Sequence, residues 1–186
     1  DLLDDNKLTI AGHDYSVHPK LAEAIKKYPS YYNAGTVGPD GFPDFLYGQA
    51  YIHPTDTGVW LQRLFDMAWA AQTDTSFSPE EQLQILAFSY GYATHAAGDH
   101  FAHTLVNEFT EGVFPDAADI IKDDRALANA VRHFLVEGYI GDATPGFDSN
   151  ASRTLLPNGD ISSDATPGID FDVPVRFVHD VLISAF

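Results

Sequence analysis

The sequence predicts an all-α fold, a compact multi-helix domain arranged around one long helix. Three observations point there: apolar residues recur at helical spacing through most of the chain, a Ser-Pro-Glu-Glu helix start precedes the longest such stretch, and strand patterns are faint throughout. The chain has 186 residues, 45% hydrophobic and 13% aromatic. That is enough to bury one sizeable core, so a single domain over 1–186 is expected.

The elements follow in order. Leu21, Ala24 and Ile25 place a short helix over Pro19 to Lys27, ended by Tyr28-Pro29, because a residue before proline disfavours the α region. From Tyr31 to Pro54, Gly35, Gly38, Pro39, Gly41, Pro43 and Gly48 break any period, which reads as a long ordered loop. Trp60, Leu61, Leu64, Phe65, Ala68 and Trp69 form a broad apolar stripe on a helix from Gly58 to Ala71. Ser78 at the N-cap, Pro79 at N1 and Glu81 at N3 form a capping box that opens a helix running to about Phe109. At roughly 30 residues this helix would be about 45 Å long.

A further helix is expected from Asp123 or Asp124 to Tyr139, with acidic residues on the positive end of its dipole and Gly138 weakening its end. Beyond Gly141 the chain is rich in Pro, Gly, Ser and Asp, and Asp142 to Asp148 is nearly repeated by Asp164 to Asp170. Two copies fall short of a solenoid. An irregular excursion is expected there, returning to a last helix from Val175. The opening on Asp1-Leu2-Leu3, and an apolar stretch from Val178 to Phe186 that no Gly or Pro closes, suggest a piece of a longer protein.

Composition narrows the chemistry. With no cysteine, any transition metal must be held by His, Asp or Glu. Lys and Arg total 10 against 27 Asp and Glu, a net charge of −17, so duplex nucleic acid is an unfavourable partner. Bound dications would neutralise part of that charge locally, so phosphate chemistry stays open. No run of about 18 apolar residues suggests a transmembrane segment, and no basic-then-apolar signal peptide opens the chain.

On the long helix, His95, Asp99 and His103 are four and eight residues apart and project the same way from successive turns. Asp99 has two oxygens and suits a bridge between an ion held by His95 and one held by His103. Ala93, Ala96, Ala97, Gly98 and Ala102 leave that face open. A core helix with hydrogen-bonded or solvated histidines is the plainer alternative, about even with the metal reading. His133 and Glu137 form a second i, i+4 pair, and Asp40, Asp44 and His53 are ligand-capable residues of the Gly/Pro loop. Taken singly, each of these is more often a turn former or a surface hydrogen bond.

Together, Pro-Asp at 39–40, Ile-His-Pro at 52–54, His-x3-Asp-x3-His from His95 and His-x3-Glu from His133 resemble the zinc-dependent phospholipase C family. The spacing of Asp99 and His103 is most similar to the catalytic domain of glycosylphosphatidylinositol-specific phospholipase D and its bacterial relatives. The resemblance runs from about Tyr31 to Tyr139. It implies that Asp40, His53, His95 and Asp99 hold one zinc and that His103, His133 and Glu137 hold another, with Asp99 bridging to a third. The third ion lacks the family's N-terminal ligand and first-helix histidine here; His13 and His18 are offered as substitutes without matching context.

The resemblance further implies phosphodiester hydrolysis: zinc lowers the pKa of a bound water towards 7 for in-line attack on phosphorus. Asp40 is assigned as ligand or as the base that orients that water, with Asp44 its nearest competitor. Asn107, Glu108 and Asp56 are available to orient ligand imidazoles, while His100, about 140° from His95 around the helix, is left out. Phe42, Phe45, Tyr47 and Tyr51 offer a wall for a lipid head group, although such a cluster is more often loop core.

A secreted or extracytoplasmic enzyme acting on phospholipid or lipid-anchor head groups, in transient contact with a membrane surface, is therefore expected. Two alternatives remain at this stage. One is a zinc nuclease for single strands, against which the charge and the lack of a basic-aromatic track argue. The other is a non-catalytic domain whose zinc only holds helices together.

Overall fold

The computed structural model describes residues 6–38, 57–115, 117–143 and 171–182. Two strands, β1 (Lys7–Ile10) and β2 (His13–Ser16), precede helices α1 (Pro19–Lys27), α2 (Pro29–Val37), α3 (Thr57–Ala70), α4 (Pro79–Thr110), α5 (Ala117–Ile120), α6 (Asp124–Ala143) and α7 (Val175–Leu182). The all-α expectation holds, with one small exception. β1 and β2 pair antiparallel, Lys7 opposite Ser16 and Ile10 opposite His13. The turn residues Ala11 and Gly12 both have positive φ (50° and 81°), the conformation of a tight two-residue hairpin. All eight strand residues are exposed. With no buried face, the hairpin leaves no in-out alternation to read.

The chain forms two compact units, Asp1–Ala97 with Ile169–Phe186, and Gly98–Gly168. In the first, Trp60, Leu64 and Ala68 of α3 bury one stripe, and Leu83, Ile85, Leu86, Ala87, Phe88 and Tyr92 of α4 join Ala24 of α1 and Phe177 of α7 in one core. The apolar spacing of α3 thus becomes burial. Ser78 caps α4 as its sequence predicts: Glu81 N–H donates to Ser78 Oγ (3.2 Å) and Ser78 N–H donates to Glu81 Oε2 (2.7 Å). The Ser78 N–H, helped by the Ser78 side chain, holds the Glu81 carboxyl below its usual pKa.

The expected loop from Tyr31 starts too early, since Pro29–Val37 is helical. Pro29 occupies the first turn, where its missing N–H is harmless, so Tyr28-Pro29 ends α1 at Lys27 as expected and also opens α2. Gly35 does not break α2 because it is needed at a helix crossing. A Cβ built on Gly35 would lie 2.1 Å from the Phe88 carbonyl oxygen, and one on Gly91 would lie 2.2 Å from the Tyr32 carbonyl oxygen. Only paired glycines let α2 and α4 approach this closely. The remainder of the expected loop, with Asp40, Asp44, His53, Asp56 and the aromatic cluster at Phe42, Phe45, Tyr47 and Tyr51, lies outside the described residues.

In the second unit, Val106 and Thr110 of α4 and Ala130 and His133 of α6 are buried. Asp123 caps α6 through its carboxylate on the Arg125 N–H (2.9 Å). The helix runs past the expected end at Tyr139, through Gly138 to Ala143. Gly138 costs helix propensity without breaking the backbone ladder. The short helix α5 has no counterpart in the sequence reading. No described helix is long and apolar enough to cross a membrane.

Candidate metal centre

The last turns of α4 and the middle of α6 bring His103, His133 and Glu137 together. One ligand atom from each residue lies within 4.8 Å of the others. His103 Nε2 is 3.5 Å from Glu137 Oε1, and His133 Nδ1 is 3.7 Å from the same oxygen. Ligands at 2.0–2.2 Å from one tetrahedral zinc are about 3.3–3.6 Å apart, so these two edges already approach coordination spacing. The two imidazoles lie 5.6 Å apart, inclined by 30°.

Asp99 joins this group from one turn earlier on α4, its Oδ1 3.1 Å from His103 Nε2. The i, i+4 register read from the sequence is thereby realised. That hydrogen bond raises the His103 pKa to about 9 against the opposing effect of burial, helped by the charges of Asp99 and Glu137 and by Asn107. Without metal His103 therefore carries a proton at neutral pH. A bound dication would reverse this preference, because the same nitrogen must then offer a lone pair. Asn107 Oδ1 stands 3.4 Å from His103 Nδ1 and orients the ring, a role for which the sequence offered it as a candidate.

His133 is fully buried. Its Nε2 lies 3.0 Å from the Gly112 carbonyl oxygen and 2.8 Å from Thr110 Oγ1. Nδ1, on the other side of the ring, is buried without a hydrogen-bond partner. Such an atom costs stability unless something binds it, and here it faces a carboxylate at 3.7 Å. Two histidines and a glutamate are also a donor set typical of catalytic zinc, which keeps a further position for water. The residues present fit the ion.

His95 belongs to the first unit and is held from α2. Its Nδ1 lies 3.1 Å from the Thr36 carbonyl oxygen, so Nδ1 carries the proton and Nε2 the lone pair. Gly38, at φ +57°, allows the end of α2 to press on this ring: a Cβ there would lie 2.6 Å from His95 Cγ. Asp40 and His53, the other residues expected to act with His95 and Asp99, fall outside the described residues. His18 has another occupation, accepting the Lys20 N–H at 3.2 Å as the N-cap of α1 and packing edge-on against Trp69. His13 is exposed on β2.

The model of the family described as zinc dependent phospholipase C matches residues 8–137. The chain belongs to this family. The match covers roughly seven-tenths of the chain and ends on Glu137. All seven proposed ligand positions fall inside it. No curated protein and no solved structure matches the chain. Sequence reasoning missed Thr36, Thr110 and Gly112, which act on imidazoles through backbone carbonyls or from a helix end and carry no spacing signature.

Proposed function

We propose that this zinc phospholipase C-type domain is a phosphoric diester hydrolase acting on phospholipid or lipid-anchor head groups. The observation that carries the reading is the His103, His133 and Glu137 group, with the buried His133 Nδ1 facing the Glu137 carboxylate. Within this reading His103, His133 and Glu137 hold one zinc, and Asp40, His53, His95 and Asp99 hold a second; a third ion bridged by Asp99 is not part of it, since two of the family's ligands for that ion have no match here. When bound, zinc supplies a water acidic enough to act as nucleophile near neutral pH.

The chain's own residues supply the rest. Asn107 orients the ring of His103 from its Nδ1 side, and Thr36 fixes the ring of His95. Asp40 serves as a zinc ligand or, once a phosphate displaces it, as the base that orients the attacking water, with Asp44 its nearest competitor. The anionic chain, at −17, disfavours a polyanionic strand and leaves a small head group as the better substrate. The reading includes one domain over 1–186, an extracytoplasmic location, transient contact with a membrane surface, and kinship with the glycosylphosphatidylinositol-specific and bacterial branch.

Parallel assays on phosphatidylcholine and on a single-stranded oligonucleotide, with zinc measured on the same preparation, test it. Zinc at one equivalent or more, lipid cleavage, and loss of that cleavage in His95→Ala are expected. Cleavage of the oligonucleotide alone would move the substrate to nucleic acid. Bound zinc without hydrolysis of either substrate would leave a metal-stabilised binding domain.

A further inference from the structure

The C-terminal end of α4 is built in a way that its role as a helix end does not require. Gly112 N–H donates to the Asn107 carbonyl (3.0 Å), the long bond of a Schellman terminator. The residue placed in the left-handed conformation is Glu111, at φ +66°, where glycine is usual. That strained link turns the Gly112 carbonyl back towards α6. There the carbonyl oxygen receives the Thr110 hydroxyl (2.9 Å) and meets His133 Nε2 (3.0 Å), while Thr110 Oγ1 itself lies 2.8 Å from Nε2.

This triangle fixes a proton. A carbonyl oxygen accepts only, so a lone pair on Nε2 would face the Gly112 oxygen across 3.0 Å with nothing between them. With the proton on Nε2, the sequence Nε2–H to Thr110 Oγ1 and Oγ1–H to Gly112 oxygen satisfies every member. Thr110 is itself tied down, since its carbonyl accepts from Asn129 Nδ2 (3.0 Å) and Arg132 Nε (3.2 Å) of α6. Phe114 closes the His133 ring from its edge at 5.3 Å.

We propose that Thr110, together with the Gly112 carbonyl, is a positioning device that holds His133 as its Nε2–H tautomer and so makes Nδ1 the metal-binding atom. The proposal rests on the zinc reading above for its purpose, but the tautomer exists without metal. Thr110 Oγ1 and the Gly112 carbonyl lie at Nε2, the ring nitrogen opposite the one that would hold the ion. They act through His133, setting the lone pair before any ion arrives.

The test uses the full chain with its histidine rings labelled with nitrogen-15. In metal-free wild type at mildly alkaline pH, His133 should show a protonated Nε2 and an unprotonated Nδ1. A protonated Nδ1 would overturn the proposal with no variant needed. Thr110→Val should mix the tautomers and weaken zinc binding, read by chelator competition, by about 10–100-fold, and Thr110→Ser should restore both. An unchanged tautomer and unchanged affinity in folded Thr110→Val would also overturn it. Wild type that binds no zinc, yet shows the Nε2–H pattern lost in Thr110→Val and regained in Thr110→Ser, would support the positioning role and sink the zinc reading instead.

Discussion

Gly35→Ala should damage both the first unit and the hold on His95. The added Cβ would lie 2.1 Å from the Phe88 carbonyl oxygen, 2.9 Å from the Tyr92 nitrogen and 3.0 Å from Gly91 Cα, all of them backbone atoms of α4. To reach even 3.0 Å from the nearest, α2 must move by about 0.9 Å. Overpacking of this kind costs about 1–3 kcal/mol. In a chain of this size each kcal/mol lowers Tm by about 2–4 °C, so a drop of about 2–12 °C is expected in thermal unfolding followed by circular dichroism. The same movement is enough to break the 3.1 Å bond from His95 Nδ1 to the Thr36 carbonyl, because a contact beyond about 3.5 Å no longer counts as a hydrogen bond. Gly138→Ala is the matched control. Nothing described lies within 4 Å of the Cβ it would add to α6, and helix propensity alone favours alanine by about 0.8–1 kcal/mol. A Gly35→Ala protein with wild-type Tm would refute the close crossing of α2 and α4.

Further outcomes follow from the second unit. Glu111→Gly should stabilise the protein by about 0.5–1 kcal/mol, because it relieves a positive φ of 66°; its exposed 3.6 Å contact with Arg132 is worth little. Chemical denaturation measures the gain, and a loss would contradict the left-handed Glu111. His103 has its pKa raised from 6.5 to about 9, so its stabilisation of metal-free protein is complete below pH 6.5 and is lost as pH rises through about 9. Tm of chelator-treated protein should fall across that window, and Asp99→Asn should flatten the decline. Zinc affinity should move the opposite way, rising with pH until His103 has lost its proton. Glu137→Gln should weaken zinc binding at least tenfold in chelator competition while far-ultraviolet circular dichroism stays unchanged, and unaltered affinity would remove Glu137 from the site.

Much of the helical architecture was legible because local rules and packing agree. Pro19 to Lys27 and the Ser78 capping box are written in neighbouring residues, and the Trp60, Leu64 and Ala68 spacing needs only one buried face. The hairpin was not legible, since exposed strands carry no alternation and an Ala-Gly turn is a weak hairpin signal. Gly35 misled the reading because glycine marks both a break and a close crossing, and only the contact with Phe88 and Gly91 tells them apart. At the site, helical period placed Asp99 beside His103 and His133 beside Glu137. What joined His103 to Glu137 was the meeting of two helices, which spacing within either one does not encode. Thr110 and Gly112 stayed hidden for a related reason, since their effect on His133 depends on how one helix ends against another.

Anomalous scattering from a crystal, collected on both sides of the zinc absorption edge, tests the central claim most directly. The account predicts a zinc peak about 2.0–2.2 Å from His133 Nδ1, His103 Nε2 and a Glu137 carboxylate oxygen. A zinc-replete crystal with no peak among these three residues, or with the ion on His133 Nε2, would contradict it.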